Sequence, residues 1–160
     1  MEAELRNTQA YRAQLDRARA WCAAEERCGS GVRQKLAAWG ADGDAADEIV
    51  ASLSEDGYLD EGRYARAYCE SKMLRQHWGR MKVVYGLRQK GVPREAIEAG
   101  MAAVDDGEYM AMLEEVAVRK LRELGGEATP EVRRRLTAFL ASRGFTMSEI
   151  NETITNITRQ

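Results

Sequence analysis

The chain has 160 residues, which is enough for one ordinary domain or for a row of small repeats. Its formal net charge of −2 is unlike that of proteins that simply coat nucleic acid, which are usually strongly basic. It has one histidine and three cysteines with no CxxC spacing, so a histidine-rich site or a zinc site of the usual kind is excluded. We therefore expect no metal and no other cofactor.

The N-terminal residues 1–5 have neither the basic start nor the apolar stretch of a signal peptide. No window approaches the roughly 18 consecutive apolar residues of a membrane span. The odd number of widely spaced cysteines is typical of a reducing compartment. These features predict a cytoplasmic protein that does not contact a membrane.

Charge is distributed unevenly along the middle of the chain. Residues 41–60 contain seven acidic residues and no basic one, whereas residues 61–91 contain eight basic residues against two acidic ones. The net charge of the whole chain is therefore a poor guide to what this segment binds. The eight basic residues are Arg63, Arg66, Lys72, Arg75, Arg80, Lys82, Arg88 and Lys90.

The first elements in chain order are three predicted helices. One covers residues 9–26, and the next ends before Gly40, which suits the positive φ of a helix C-terminus. Apolar residues four positions apart lie on one face of a helix, and they mark the second and third of these helices. The pairs are Val32 with Leu36 and Ile49 with Leu53.

The same order of elements recurs 51 residues later. Asp60 is a suitable N-cap for a helix over Glu61–Gln76, and Pro93 can occupy the first position of a later helix. Ala65 lies on the apolar face of the first helix of this unit. The residues that repeat the earlier pattern are Val83, Leu87 and Gly91, followed by Ile97 and Met101.

A third copy follows after a further 53 residues. Its first helix is predicted over Glu108–Leu124, and Thr129 with Pro130 opens the next one. Thr146 and Glu149 have the spacing of a capping box at the start of the last helix. The repeated positions here are Leu136, Leu140 and Gly144, followed by Ile150 and Ile154.

No alternating run is long enough for a strand, so the sequence predicts an all-α fold of nine helices. They form three tandem three-helix repeats over residues 9–57, 58–105 and 106–158. A unit of about 50 residues has too small a core to be stable alone, so neighbouring units should stack. We expect an elongated, curved array with a concave face, and a compact helical bundle is the alternative.

Three segments resemble motifs of the RecX family of RecA regulators. They are DGYLDEGRYARAY at 56–68, WGRMK followed by LRQKGV within 78–92, and FLASRGF at 139–145. Their order and spacing agree with the repeat, and the resemblance extends over roughly residues 10–157. It implies a fold of three three-helix repeats and a non-enzymatic protein without a cofactor.

The resemblance also implies a function and a partner. The protein would bind in the groove of the RecA filament on single-stranded DNA and inhibit its ATPase and strand-exchange activities. This role belongs to DNA repair, recombination and the SOS response. We expect the protein to be a monomer, with direct DNA binding at most weak.

We predict that the eight basic residues named above bind the filament. Arg63 and Arg66 are three residues apart and should share a helix face, and Lys72 and Arg75 repeat this spacing. Arginine can make forked contacts to the carboxylates of an acidic protein groove or to DNA phosphates. The alternative is that these residues form an ordinary solvated face.

The aromatic residues have two possible roles. Tyr64 and Tyr68 could stack on bases, but their helical spacing fits the core better, and the three tryptophans fit packing anchors. His77 has no second catalytic partner, and Gly125-Gly126 lacks the lysine of a phosphate-binding loop. These features predict no catalytic residues and no enzyme activity. A sequence-nonspecific nucleic-acid-binding protein and a helical protein-interaction scaffold remain alternative functions.

Overall fold

The computed structural model describes residues 8–159, so the signal-peptide prediction for residues 1–5 lies outside the described residues. Within this range there are nine α-helices and no strand, which confirms the all-α fold. None of these helices is long and apolar enough to cross a membrane. The helices are α1 Gln9–Ala24, α2 Gly29–Ala38, α3 Gly43–Glu55, α4 Glu61–Glu70, α5 Arg80–Gln89, α6 Arg94–Ala102, α7 Asp106–Glu123, α8 Pro130–Ser142 and α9 Met147–Thr158.

The second helix of each triplet ends in the same way. Gly40, Gly91 and Gly144 have φ values of 87°, 71° and 96°, which a residue with a side chain adopts only with strain. The amide after each glycine then donates to the carbonyl five residues before it, as in a Schellman motif. These bonds are Ala41 to Leu36 (2.7 Å), Val92 to Leu87 (3.2 Å) and Phe145 to Leu140 (3.2 Å).

Several helices begin at the capping residues that the sequence predicts. Asp60 caps α4 by accepting a hydrogen bond from the Arg63 amide at 3.0 Å. The predicted capping box of Thr146 and Glu149 opens α9 with both of its hydrogen bonds. The prediction for Pro93 was wrong by one position, because it is the N-cap residue and α6 begins at Arg94.

The predicted helix over Glu61–Gln76 is not continuous. Regular α-helix ends at Glu70, and Ser71–Arg75 form a π-helical turn in which the Gln76 amide donates to the Ser71 carbonyl at 3.0 Å. Met73 in this turn is fully buried. A π-turn widens the helix and changes the direction of the side chains that follow it. It therefore determines where Lys72 and Arg75 lie.

The described residues form two hydrophobic cores. The first triplet (α1–α3) has its own core, which includes Leu36, Ile49 and Leu53. The second triplet (α4–α6) and the third triplet (α7–α9) share the other core, and Cys28 of the first triplet joins it. The second and third triplets are therefore more closely integrated with each other than either is with the first.

The second helices of the three triplets meet end to end. At the start of α5, the Gly79 amide donates to the Arg143 carbonyl at 2.7 Å and the Met81 amide donates to the Gly144 carbonyl at 3.0 Å. At the start of α2, the Ser30 hydroxyl donates to the Lys90 carbonyl at 2.6 Å. Since Arg143 and Lys90 each precede a repeated glycine, the two junctions are equivalent.

The two junctions also satisfy the first helical amide in an equivalent way. The Gly29 amide donates to Glu61 Oε1 at 2.7 Å, and the Arg80 amide donates to the Tyr109 hydroxyl at 3.0 Å. In both cases the acceptor comes from the first helix of the next triplet. At the outer end of the row, Gln14 Nε2 donates to the Trp39 carbonyl at 2.9 Å. A side chain of the same triplet thus satisfies the carbonyl that, at the two junctions, accepts a hydrogen bond from a neighbouring triplet.

Candidate functional site

A groove of about 500 Å³ lies where the first and second triplets meet. We call it the junction groove. It brings together three of the predicted cations, Lys72, Arg75 and Lys90, because the end of α4, the π-turn and the end of α5 converge there. The residues that line it are Glu25, Glu26, Tyr64, Ala67, Tyr68, Ser71, Lys72, Arg75 and Lys90.

The positive charge of the junction groove is not balanced. Glu25 and Glu26 line the groove, but each pairs with an arginine at 3.0 Å, Glu25 with Arg27 and Glu26 with Arg63. Among residues 8–159, no carboxylate forms an ion pair with the three groove cations, and the Lys72 ammonium donates to the neutral amide of Gln76 at 3.3 Å. The groove therefore presents three uncompensated positive charges, although the chain as a whole is acidic.

Three aromatic rings form a row beside these cations. The centroids of Tyr64 and Tyr68 are 5.8 Å apart, and those of Tyr68 and Trp78 are 6.4 Å apart with an edge-on arrangement. The ammonium groups of Lys72 and Lys82 lie 4.6 Å and 4.2 Å from the Trp78 ring centre, within cation–π range. Lys82 is thus held beside the groove by Trp78.

Tyr64 and Tyr68 contribute to the core and also reach the surface. Tyr64 and Tyr68 are half-buried and pack against the shared core, yet both line the junction groove. The Tyr68 hydroxyl lies against Gly86, where an added Cβ would be 2.2 Å from it. Burial raises the pKa of both phenols, so they stay neutral and add no negative charge to the groove.

Two of the predicted site residues are engaged in ion pairs at the junctions. Arg63 Nε lies 3.0 Å from Glu26, and its Nη2 donates to the Gly57 carbonyl at 2.8 Å. Arg80 pairs with Glu149 at 3.2 Å and also with Asp106. These two arginines therefore connect neighbouring triplets.

The remaining two predicted residues lie away from the groove. Arg66 lines a separate depression with Asp105, the N-cap of α7, and Glu108 of the third triplet, and Arg88 lies in another with Arg94. Arg63 and Arg66, three residues apart on α4, thus have different neighbours, although both lie close enough to Asp60 to lower its pKa. Since α4 is in the middle of the row, Arg63 pairs with the first triplet while Arg66 adjoins the third.

The other candidate reactive groups within residues 8–159 are metal-ligating side chains and cysteines. No group of three or more metal-ligating side chains is found there. Cys22, Cys28 and Cys69 are free and buried. Burial raises the pKa of the Cys69 thiol to about 11, so the reactive thiolate is scarce at neutral pH.

Comparisons with known proteins identify the family. The model for "RecX, second three-helix domain" matches residues 60–101, and the one for "RecX, third three-helix domain" matches residues 107–154. The regulatory protein RecX of Escherichia coli K12 is 33% identical over 156 residues, which cover 89% of this chain and 90% of that protein. The chain belongs to the RecX family.

Other RecX relatives differ in length. The regulatory protein RecX of Clostridium acetobutylicum is 27% identical over 115 residues, which cover 69% of this chain and 53% of that protein. That of Clostridium tetani is 25% identical over 128 residues, covering 79% of this chain and 58% of that protein. The chain thus spans little more than half the length of these two relatives.

Solved RecX structures share the fold. The crystal structure of RecX from Lactobacillus salivarius matches with a TM-score of 0.84 over 94% of this chain and 98% of that one, at 16% identity. A second crystal structure of regulatory protein RecX matches with a TM-score of 0.82 over 91% of this chain and 73% of that one, also at 16% identity. At this identity the likeness establishes the three-triplet fold alone.

Proposed function

We propose that the chain is a non-enzymatic inhibitor of RecA that binds the filament of RecA on single-stranded DNA through the junction groove. The observation that carries the proposal is the uncompensated charge of Lys72, Arg75 and Lys90 beside two glutamates that are already paired. Lys82, held on Trp78, extends this charge beyond the groove. Membership of a family of regulatory proteins supports the same role.

Binding at this groove would regulate without chemistry. A recess with three free cations favours a partner that presents carboxylates or phosphates, and Arg75 can contact either in a forked geometry. A protein that binds one state of a filament more tightly than another shifts the population towards that state. In this proposed role the protein needs no cofactor and acts as a cytoplasmic monomer.

The test is a titration of the DNA-dependent ATPase of RecA, on preformed filaments and on filaments still assembling. We expect inhibition at substoichiometric amounts of the protein. Replacing the three groove cations by alanine should raise the concentration needed for half-inhibition at least about tenfold, which corresponds to about 1.4 kcal/mol of binding. The matched control replaces Arg122, Arg133 and Arg134, which are exposed cations outside the groove and not among the eight predicted residues, by alanine.

An ATPase rate that stays constant across the titration would reject the proposal. Equal loss of inhibition in the groove variant and the control would show that the groove is not the binding site.

The row of aromatic rings beside Lys72 and Lys82 favours a second candidate function, direct binding of single-stranded DNA. In that case the protein would bind naked DNA tightly without RecA, and its affinity would fall steeply with salt. Weak binding to naked DNA together with inhibition of RecA would reject this candidate.

A further inference from the structure

Helix α5 carries an exposed apolar face next to the junction groove. Met81 is 60% exposed and Tyr85 is 65% exposed, and the two lie one helical turn apart. Met147 at the start of α9 is 53% exposed, and it follows by three residues Gly144, whose carbonyl accepts a hydrogen bond from the Met81 amide. We call Met81, Tyr85 and Met147 the α5 ridge.

The ridge has no partner within the described part of the chain. The Tyr85 ring stacks on no other ring and contacts no cation there, in contrast to the rings of Tyr68, Trp78 and Tyr109. Single exposed apolar side chains are common, but several large ones on neighbouring elements are typical of a contact surface.

The ridge is continuous with the proposed binding surface. Lys82 lies three residues before Tyr85 on α5, and its ammonium group is on Trp78 beside the groove. Arg88 follows Tyr85 by three residues on the other flank. Neither Lys82 nor Arg88 pairs with a carboxylate among residues 8–159. A complementary surface would present an apolar side chain flanked by carboxylates.

The chemistry of the ridge fits a protein surface better than a nucleic acid. Nucleic-acid platforms stack bases on flat rings, and two of the three ridge residues are methionines, which have no ring. Methionine and tyrosine are enriched where proteins meet, and methionine adapts its shape to the partner.

We propose that the α5 ridge is a second contact, made with the protein subunits of the RecA filament and not with its DNA. This inference rests on the proposed function, since it names the part of the filament that the ridge contacts. The groove cations attract an acidic partner, and the ridge supplies the buried apolar contact that accounts for much of the affinity at the centre of a protein interface.

The experiment measures binding to immobilised RecA filaments on single-stranded DNA and to the same naked DNA. The test variant is Met81→Ser with Tyr85→Ser, and the control is Tyr58→Ser, another exposed tyrosine that lies outside the ridge. We expect the double variant to bind filaments at least about tenfold more weakly and to bind naked DNA as the wild type does. Because both side chains are exposed, the circular dichroism spectrum should be unchanged.

Filament binding by the double variant within about twofold of the wild type would overturn the inference. Equal losses on filaments and on naked DNA would also overturn it, because the ridge would then contact bases. Sedimentation of the wild type as a dimer that the double variant abolishes would assign the ridge to self-association instead. If the wild type itself fails to bind filaments, the proposed function fails, and that result is distinct from a defect of the double variant alone.

Discussion

At the residue scale, Gly79 lies directly against the backbone of the third triplet. A Cβ built on Gly79 would lie 2.1 Å from the Gly144 carbonyl carbon and 2.2 Å from the Phe145 nitrogen, both of them backbone atoms. Backbone cannot move aside as a flexible side chain can. The absence of a side chain at Gly79 therefore allows the two backbone hydrogen bonds of this junction.

We expect Gly79→Ala to lower the free energy of unfolding by about 2 kcal/mol or more, because the junction must open to admit the methyl group. The control is Gly31→Ala in α2, whose added Cβ would meet Cys28 Sγ at an ordinary 3.4 Å. That change should be neutral or slightly stabilising, since alanine favours helix over glycine. Urea unfolding of the two variants measures the difference, and equal stability would show that the contact is not tight.

The roles of the individual arginines could not be predicted from the sequence. The glycine-ended helices, the Asp60 cap and the capping box depend on neighbours within a few residues, and the sequence predicted them. Arg63 and Arg80 pair with carboxylates 37 and 69 residues away, so their partners depend on how the triplets dock. A run of basic residues indicates a cluster of charge, but it does not show which charges are already paired.

At the element scale, the end-to-end contact of second helices is made twice with different side chains. The first amide of α2 is satisfied by the carboxylate of Glu61, and that of α5 by the hydroxyl of Tyr109. The Tyr109 hydroxyl also donates to Glu149 Oε1 at 3.2 Å, so it connects three helices. Tyr109 is fully buried, and burial raises the pKa of its phenol, which therefore remains a hydrogen-bond donor at neutral pH.

We expect Tyr109→Phe to cost about 1–3 kcal/mol of stability, because the Arg80 amide loses its acceptor while the ring packing is kept. Tyr85→Phe, which removes an exposed hydroxyl, is the control and should change stability by less than about 0.5 kcal/mol. Thermal unfolding monitored by circular dichroism at pH 7 gives both values. Unchanged stability in Tyr109→Phe would mean that this hydrogen bond contributes nothing net.

The same substitution has a pH signature. Because the phenol pKa of Tyr109 is raised in the folded state, its contribution is complete below the ordinary tyrosine pKa of 10.0 and is lost as the pH rises above it. The stability of the wild type should thus fall more steeply above pH 10 than that of Tyr109→Phe.

The π-turn at Ser71–Arg75 is the element that local sequence predicted least well. Its residues, SKMLR, are compatible with ordinary helix, and the sequence therefore predicted continuous helix to Gln76. The turn packs against α7 of the third triplet and buries Met73 completely. Tertiary packing thus determines this local conformation, and the positions of Lys72 and Arg75 follow from it.

At the scale of the whole molecule, the repeat was predictable and the site was only partly so. The spacing of the glycines and the aliphatic pairs predicted nine helices in three triplets, because each pattern is local and occurs three times. The junction groove combines side chains from the first and second triplets, including Glu25 and Glu26, which no sequence pattern linked to Lys72 or Lys90. Of the eight predicted cations, the structure gathers three in the groove and a fourth beside it.

The charge of the whole molecule conceals the charge of its groove. The net charge is −2, yet the groove concentrates three cations whose neighbouring glutamates are neutralised by Arg27 and Arg63. Because exposed charges are screened beyond about 8–10 Å at moderate salt, a partner seated in the groove responds to these local charges.

The most direct measurement is therefore the dissociation constant for RecA filaments on single-stranded DNA, compared between two charge-reversal variants of equal net charge. One carries glutamate in place of Lys72, Arg75 and Lys90, and the other in place of Arg122, Arg133 and Arg134. We expect the groove variant to bind at least about tenfold more weakly than the wild type and the other to remain within about threefold. Equal weakening of the two variants would contradict a binding site in the junction groove.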